Sequence, residues 1–280
     1  MAGARGRGKR AARRRAAGEN ALAPGRHGGQ RRRMKSVLAA LLLAGLAGPP
    51  ASAAETVNVM APPKAAAAAP VPRYLAAGSL DFATLLPPPP EPGTVAALAD
   101  LEAVLQVQAW RTPEQLAWAQ LIDRDTVFNL ATELGSWFRA DALPRTAAWL
   151  AAVGDDLRWL DGAAKAPFRR ARPHAVDPRV QPALTLPKSF SYPSGSACQA
   201  FVWAELLGEI LPERRAALVE RAHRAAWSRV IGGVHFPSDV VAGRLLARAY
   251  VDAVRVSPAF RAAQAEAMAE LIAAKRAAGK

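Results

Sequence analysis

From Val95 to Arg276 apolar residues recur three and four positions apart, and the alternation that a half-buried strand needs is scarce. Val95, Leu98, Leu101, Val104 and Leu105 begin the pattern, and it returns over 114–134, 145–161, 197–210, 213–230, 237–255 and 258–276. Gly and Pro fill most of the gaps. Thr112-Pro113-Glu114-Gln115 is a capping box, with Thr112 as N-cap, Pro113 at the first helical position and Gln115 reaching back. No internal repeat is visible. The chain is predicted to be all-α, a single-domain helical bundle.

The first 53 residues obey other rules. Residues 34–53, MKSVLAALLLAGLAGPPASA, join a lysine, a short apolar run and a small-residue cleavage site, as a secretory signal peptide does. Cleavage leaves Ala54 or Glu55 first and sends the product to the periplasm or the medium. Residues 1–33 are a basic extension upstream of that signal. Because export signals sit at N-termini, Met34 is read as the true start and the extension as a mis-assigned beginning. Residues 54–92 are an Ala/Pro-rich lead-in, and 93–280 form the helical domain.

This division changes the meaning of the charge. The formal net charge is +14, but residues 1–53 hold 12 of the 37 Lys and Arg and 1 of the 23 acidic residues. The remainder is nearly neutral, so a nucleic-acid partner is not expected. Cys198 is the single cysteine, so no internal disulfide can form and the core must hold the fold. No apolar run after residue 53 reaches the length of a membrane span, so no integral membrane segment is expected in the mature protein.

Three polar islands interrupt the helical pattern. In KAPFRRARP (165–173), Lys165 and Arg172 stand seven apart, about two helical turns, so both can face one way before Pro173 ends the pattern. Two such cations suit a doubly charged oxyanion. In SYPSGSACQA (191–200), a turn at Pro193 opens a helix, and the amides of Ser194, Gly195 and Ser196 are expected free to hold an anion. In SRVIGGVHFPSD (228–239), Ser228 and Arg229 close a helix and Gly232-Gly233 break it. His235 follows, with Asp239 four residues on. A carboxylate there can take one imidazole N–H and leave the other nitrogen as a nucleophile. His27, His174 and His223 have no comparable setting.

The order and spacing of the islands resemble the signature of the phosphatidic acid phosphatase type 2 superfamily, K-x6-R-P, P-S-G-H and S-R-x5-H-x3-D. Lys165, Arg172 and Pro173, then Pro193, Ser194 and Gly195, then Ser228, Arg229, His235 and Asp239 stand in its places. The flanks LLPPPP, SYPSG and SRVIGGVHFPSDVVAGRL are similar to bacterial class A non-specific acid phosphatases, from about Tyr74 to the C-terminus. The resemblance implies an exported, all-α phosphomonoesterase that acts on small organic phosphates without metal or other cofactor. It implies that His235 attacks phosphorus and Asp239 orients it. Lys165, Arg172 and Arg229, with the amides of Ser194 and Gly195, would hold the phosphoryl oxygens.

One position departs. The superfamily has His after P-S-G, where it protonates the leaving group, and this chain has Ser196. A hydroxyl is too weak an acid for that work. Three functions stay open: a phosphomonoesterase weakened toward poor leaving groups, an inactive phosphate-binding relative, and a lipid or pyrophosphate phosphatase. The lack of spanning helices speaks against the last. His174, beside Pro173, is the candidate stand-in for the missing acid. Whether the protein forms a homo-oligomer is left open.

Overall fold

The computed structural model describes residues 71–76, 78–124 and 126–279. The signal peptide, the basic extension and the first part of the lead-in lie outside them. The longer helices are α1 (Val95–Trp110), α2 (Pro113–Ile122), α3 (Pro144–Lys165), α4 (Gly195–Ile210), α5 (Arg215–Ile231), α6 (Pro237–Val254) and α7 (Pro258–Ala278). No strand occurs among the described residues, so the fold is all-α.

Local chemistry starts several of the helices. The Thr112 side chain accepts from the Gln115 amide, and the Gln115 side chain accepts from the Thr112 amide, as the capping box requires. Thr94, Ser194 and Ser257 cap α1, α4 and α7 through their hydroxyls. The α3 N-terminus has no cap of its own. Glu270 of α7 accepts from the amides of Arg145 and Thr146, at 3.1 and 2.8 Å, so a side chain 124 positions away satisfies donors that the helix cannot.

Helix α4 is the centre. Ala197, Phe201, Val202, Ala204, Leu206 and Leu207 are buried on several faces, as expected of a helix with neighbours all round. It packs against α5 and α6, while α3 packs against α7 and α2 against α5. Burying a Leu such as Leu207 contributes about 2 kcal/mol. Helices α4 and α6 come very close. A Cβ added to Gly243 would fall 2.4 Å from the Ser194 carbonyl oxygen, so only glycine admits this approach.

Two expectations need correction. The pattern over 114–134 is not one helix. It ends at Ile122 and resumes as a 3-10 segment (Val127–Leu130) and a helical turn (Ala131–Leu134); residues 123–126 are all polar and interrupt the apolar pattern. The lead-in is also part of the domain from Tyr74 onward. Tyr74, Leu75 and Leu86 are buried in the main core, and the Tyr74 and Leu75 amides donate to the buried Asp156 carboxylate at 3.0 and 3.1 Å.

Candidate active site

The three islands meet at the N-terminus of α4. They line a cavity of about 440 Å³ to which α3 contributes Lys165, the following loop Arg172, α4 Gly195 and Ser196, α5 Arg229, and the loop before α6 His235. Lys165, Arg172, Arg229 and His235 are all buried.

Lys165 and Arg172 arrive by a different route from the one their spacing suggested. Helix α3 ends at Lys165, the chain turns through Arg169 at a φ of 45°, and Arg172 is extended. Pro173 does not end a helix; it starts the short turn Pro173–Val176. Ser189 Oγ accepts from both cations, at 3.3 Å from Lys165 Nζ and 3.3 Å from Arg172 Nη2. The Ser189 and Phe190 carbonyls hold the guanidinium plane at 2.8 and 3.0 Å. Burial lowers the Lys165 pKa, opposed by the charge of Asp161 at 2.7 Å.

His235 is held at both nitrogens. Its Nδ1 lies 3.2 Å from Asp239 Oδ2, and its Nε2 lies 3.2 Å from Arg172 Nη1. A guanidinium only donates, so Nε2 must carry a lone pair and Nδ1 the proton that faces the carboxylate. Burial drives the imidazole pKa down from 6.5 to about 4, against the pull of Asp239, which keeps the ring neutral in mild acid.

Asp239, at the third position of α6, is fully buried. Oδ2 accepts from Ser191 Oγ at 2.5 Å and the Phe236 amide at 2.9 Å. Arg170 Nη1 reaches Oδ1 at 2.7 Å. Burial alone would raise this carboxyl; the hydrogen bond and charge of His235, then Arg170 and Ser191, bring it below its ordinary value.

The amides of the α4 turn divide. Ser194 N–H is not free, contrary to expectation: it donates to the Asp239 carbonyl at 2.9 Å and ties the turn to α6. The amides of Gly195 and Ser196 open the helix and have no intrahelical acceptor. Ser196 is exposed at the cavity mouth. A niche of about 80 Å³ adjoins it, sharing Ser196, Gln199 and Arg229 and walled by Leu130, Trp203 and Leu218. Arg229 Nη1 pairs with Asp123 Oδ1 at 2.6 Å, and its buried Nε has no hydrogen-bond partner among the described residues. His174 lies on the Pro173–Val176 turn and does not line the cavity.

Sequence reasoning missed the support. Arg170 links Asp239 to Asp100 of α1, 2.8 Å from its Nη2, and its guanidinium lies 4.0 Å above the Phe236 ring. Ser238 also donates to Asp100. Nothing local in the chain signals these pairs, which join residues 69, 70 and 138 positions apart. Asp161 did carry a signal, because it precedes Lys165 by four on a helix. Among the described residues no three His, Cys, Asp or Glu side chains could hold a metal ion together. None of the described helices is long and apolar enough to cross a membrane.

The family model of the PAP2 superfamily matches residues 149–261, a span that includes every side chain of the cavity named above. The chain is 30% identical to a non-specific acid phosphatase of Providencia stuartii over 192 residues, covering 65% of this chain and 77% of that protein. It is 36% identical over 112 residues to a non-specific acid phosphatase of Salmonella typhimurium, covering 39% and 45%. It is 35% identical over 106 residues to an acid phosphatase of Zymomonas mobilis, covering 36% and 39%. The matched stretch thus spans most of the first relative and under half of the other two. The chain belongs to the PAP2 superfamily, among its non-specific acid phosphatases.

Proposed function

We propose that this protein is an exported phosphomonoesterase that works through a phosphohistidine at His235 and needs no metal. One observation supports the reading: His235 lines a cavity with Lys165, Arg172 and Arg229, its Nε2 carrying a lone pair beside Arg172 Nη1 and its Nδ1 backed by Asp239. A phosphate monoester enters with its oxygens toward the three cations and the Gly195 and Ser196 amides. Nε2 attacks phosphorus, the ester oxygen leaves, and Asp239 stabilises the positive charge that grows on the ring. The protein's part is positioning and charge stabilisation around a transferring phosphoryl group. Water then releases phosphate and restores the ring.

Ser196 stands where a proton donor is expected, so the enzyme favours leaving groups that depart as stable anions. Losing a general acid typically costs about 10²- to 10⁴-fold. A second reading, an inactive phosphate-binding relative, rests on the same serine. Turnover decides between them. The purified protein is expected to hydrolyse 4-nitrophenyl phosphate in the presence of a chelator, with inhibition by phosphate or vanadate. Phosphate binding without turnover would favour the second reading, and loss of turnover in chelator would overturn the metal-free one. Export rests on the 34–53 pattern. N-terminal sequencing of the secreted product is expected to read from Ala54 or Glu55, and Arg5 to Arg33 in that product would contradict it.

A further inference from the structure

One carboxylate in the cavity has no part in that mechanism. Asp161 lies one turn before Lys165 on α3, with Oδ1 2.7 Å from Lys165 Nζ. A Cβ built on Gly195 would fall 2.0 Å from the same oxygen. The carboxylate is therefore seated against the first residue of α4, next to Ser196, in the space that a side chain at Gly195 would fill. Oδ1 is enclosed, with no hydrogen-bond partner beyond that ion pair among the described residues. The side chain is 31% exposed and lines the cavity shared with His235 and Ser196. The other stand-in, His174, does not line it.

An ion-paired carboxylate offers acceptor oxygens and no proton. It suits the second half of the reaction, where a proton must be taken, better than the first, where one must be given. Resting on the phosphohistidine reading, we propose that Asp161 is the general base that activates the hydrolytic water beside Ser196. The water oxygen forms a bond to phosphorus as the bond from phosphorus to Nε2 breaks. The electron pair returns to Nε2, and the water proton passes to the Asp161 carboxylate. Inorganic phosphate leaves, and Asp161 gives its proton to solvent. The chain would thus replace only half of a histidine's work: a carboxylate from a neighbouring helix serves the water, and no acid serves the departure.

Rapid mixing of 4-nitrophenyl phosphate with wild type and Asp161→Asn tests this. Asn keeps the shape against Gly195 and loses the basicity. The variant is expected to release about one equivalent of nitrophenolate per site in a fast burst and then turn over roughly 10²-fold more slowly, without a rise in KM. In a Ser196→His background the imidazole supplies the base, so the same substitution should cost less than about tenfold. Turnover of Asp161→Asn within about threefold of wild type would overturn the proposal. Equal losses in both backgrounds would do so as well, by assigning Asp161 to the placement of Lys165. If Asp161→Asn does not fold, Asp161→Ser is read by the same burst against the same expectations. Failure to find phosphate on His235 in any variant, wild type included, would overturn the phosphohistidine reading and this one with it. A labelled His235 with no burst change overturns the role of Asp161 alone.

Discussion

Asp156 and Asp239 are both fully buried carboxylates, and their surroundings are opposite in kind. Asp156 accepts from the Tyr74 and Leu75 amides and from the Tyr250 hydroxyl, at 3.0, 3.1 and 3.2 Å. Two segments far apart in sequence, the one at Tyr74 and helix α6, are pinned to α3 through it, and it lines none of the cavities described above. Asp239 spends its lone pairs on Arg170, Ser191, the Phe236 amide and His235, and His235 opens into a cavity. A buried charge must be compensated in either place. What differs is whether one compensating partner has a free atom facing a ligand. His235 lines the cavity, with Nε2 beside Arg172 Nη1 and Nδ1 turned to Asp239.

Substituting each aspartate separates the two roles. Asp239→Asn and Asp156→Asn each leave buried partners less well satisfied, and each should cost roughly 3 kcal/mol of stability. Only Asp239→Asn should also lower kcat of the folded protein, by about 10³-fold, because the amide no longer fixes the imidazole tautomer or balances its charge. Parallel denaturation curves and rates per folded molecule check this. Equal kcat losses in the two variants would erase the distinction.

The next effect lies across the cavity, at Ser196. Ser196→His restores the missing acid, and the niche beside Ser196 leaves space for a ring. kcat/KM for an alkyl phosphate should rise by roughly 10² and that for an aryl phosphate by clearly less, since an aryloxide leaves with little protonation. Inhibition by phosphate should hardly change. Equal gains on both substrates would place Ser196 away from the leaving group.

The site's core was written in local spacing. His235 and Asp239 are four apart across a helix start, a spacing at which a carboxylate can reach the imidazole, and the resemblance to the superfamily singled out the pair. The convergence of Lys165 with Arg172 was also legible, although the route was not: the spacing suggested two helical turns, and the chain makes a loop through Arg169 instead. A turn set by one positive φ leaves no periodic trace. The free amide expected at Ser194 was wrong because its acceptor, the Asp239 carbonyl, comes from another helix. Arg170 with Asp100, and Glu270 on the start of α3, were invisible for the same reason. Their partners are distant in sequence, and a charged residue on a helix reads as a solvated face until its neighbour is known. The helical class was plain, because apolar residues recur at helical spacing along the chain and Thr94, Thr112, Ser194 and Ser257 supply local caps, but the break after Ile122 was hidden within a longer apolar pattern.

A further effect sharpens the same contrast through pH. With its pKa lowered to about 4, His235 stays neutral where an ordinary histidine is charged. The acid limb of kcat/KM should therefore fall near pH 4 and not near 6.5. Stability follows the opposite sign from a salt-bridged histidine. Between pH 6.5 and 4 the unfolded chain binds a proton that the native ring refuses, so stability falls as pH drops through that window, by up to about 3 kcal/mol. Asp239, held below its ordinary value, adds its loss only at lower pH. His235→Gln should flatten the 6.5-to-4 slope, whereas Asp156→Asn should leave it in place.

The central claim is that phosphorus passes through His235 Nε2. Full-length protein mixed with 4-nitrophenyl phosphate, quenched in alkali to preserve phosphoramidate, and digested for mass spectrometry tests it directly. The mechanism predicts a phosphoryl group on the peptide that carries His235, absent from His235→Ala, whose turnover falls by at least about 10³-fold. Full turnover with no phosphopeptide, or retained turnover in His235→Ala, would contradict it.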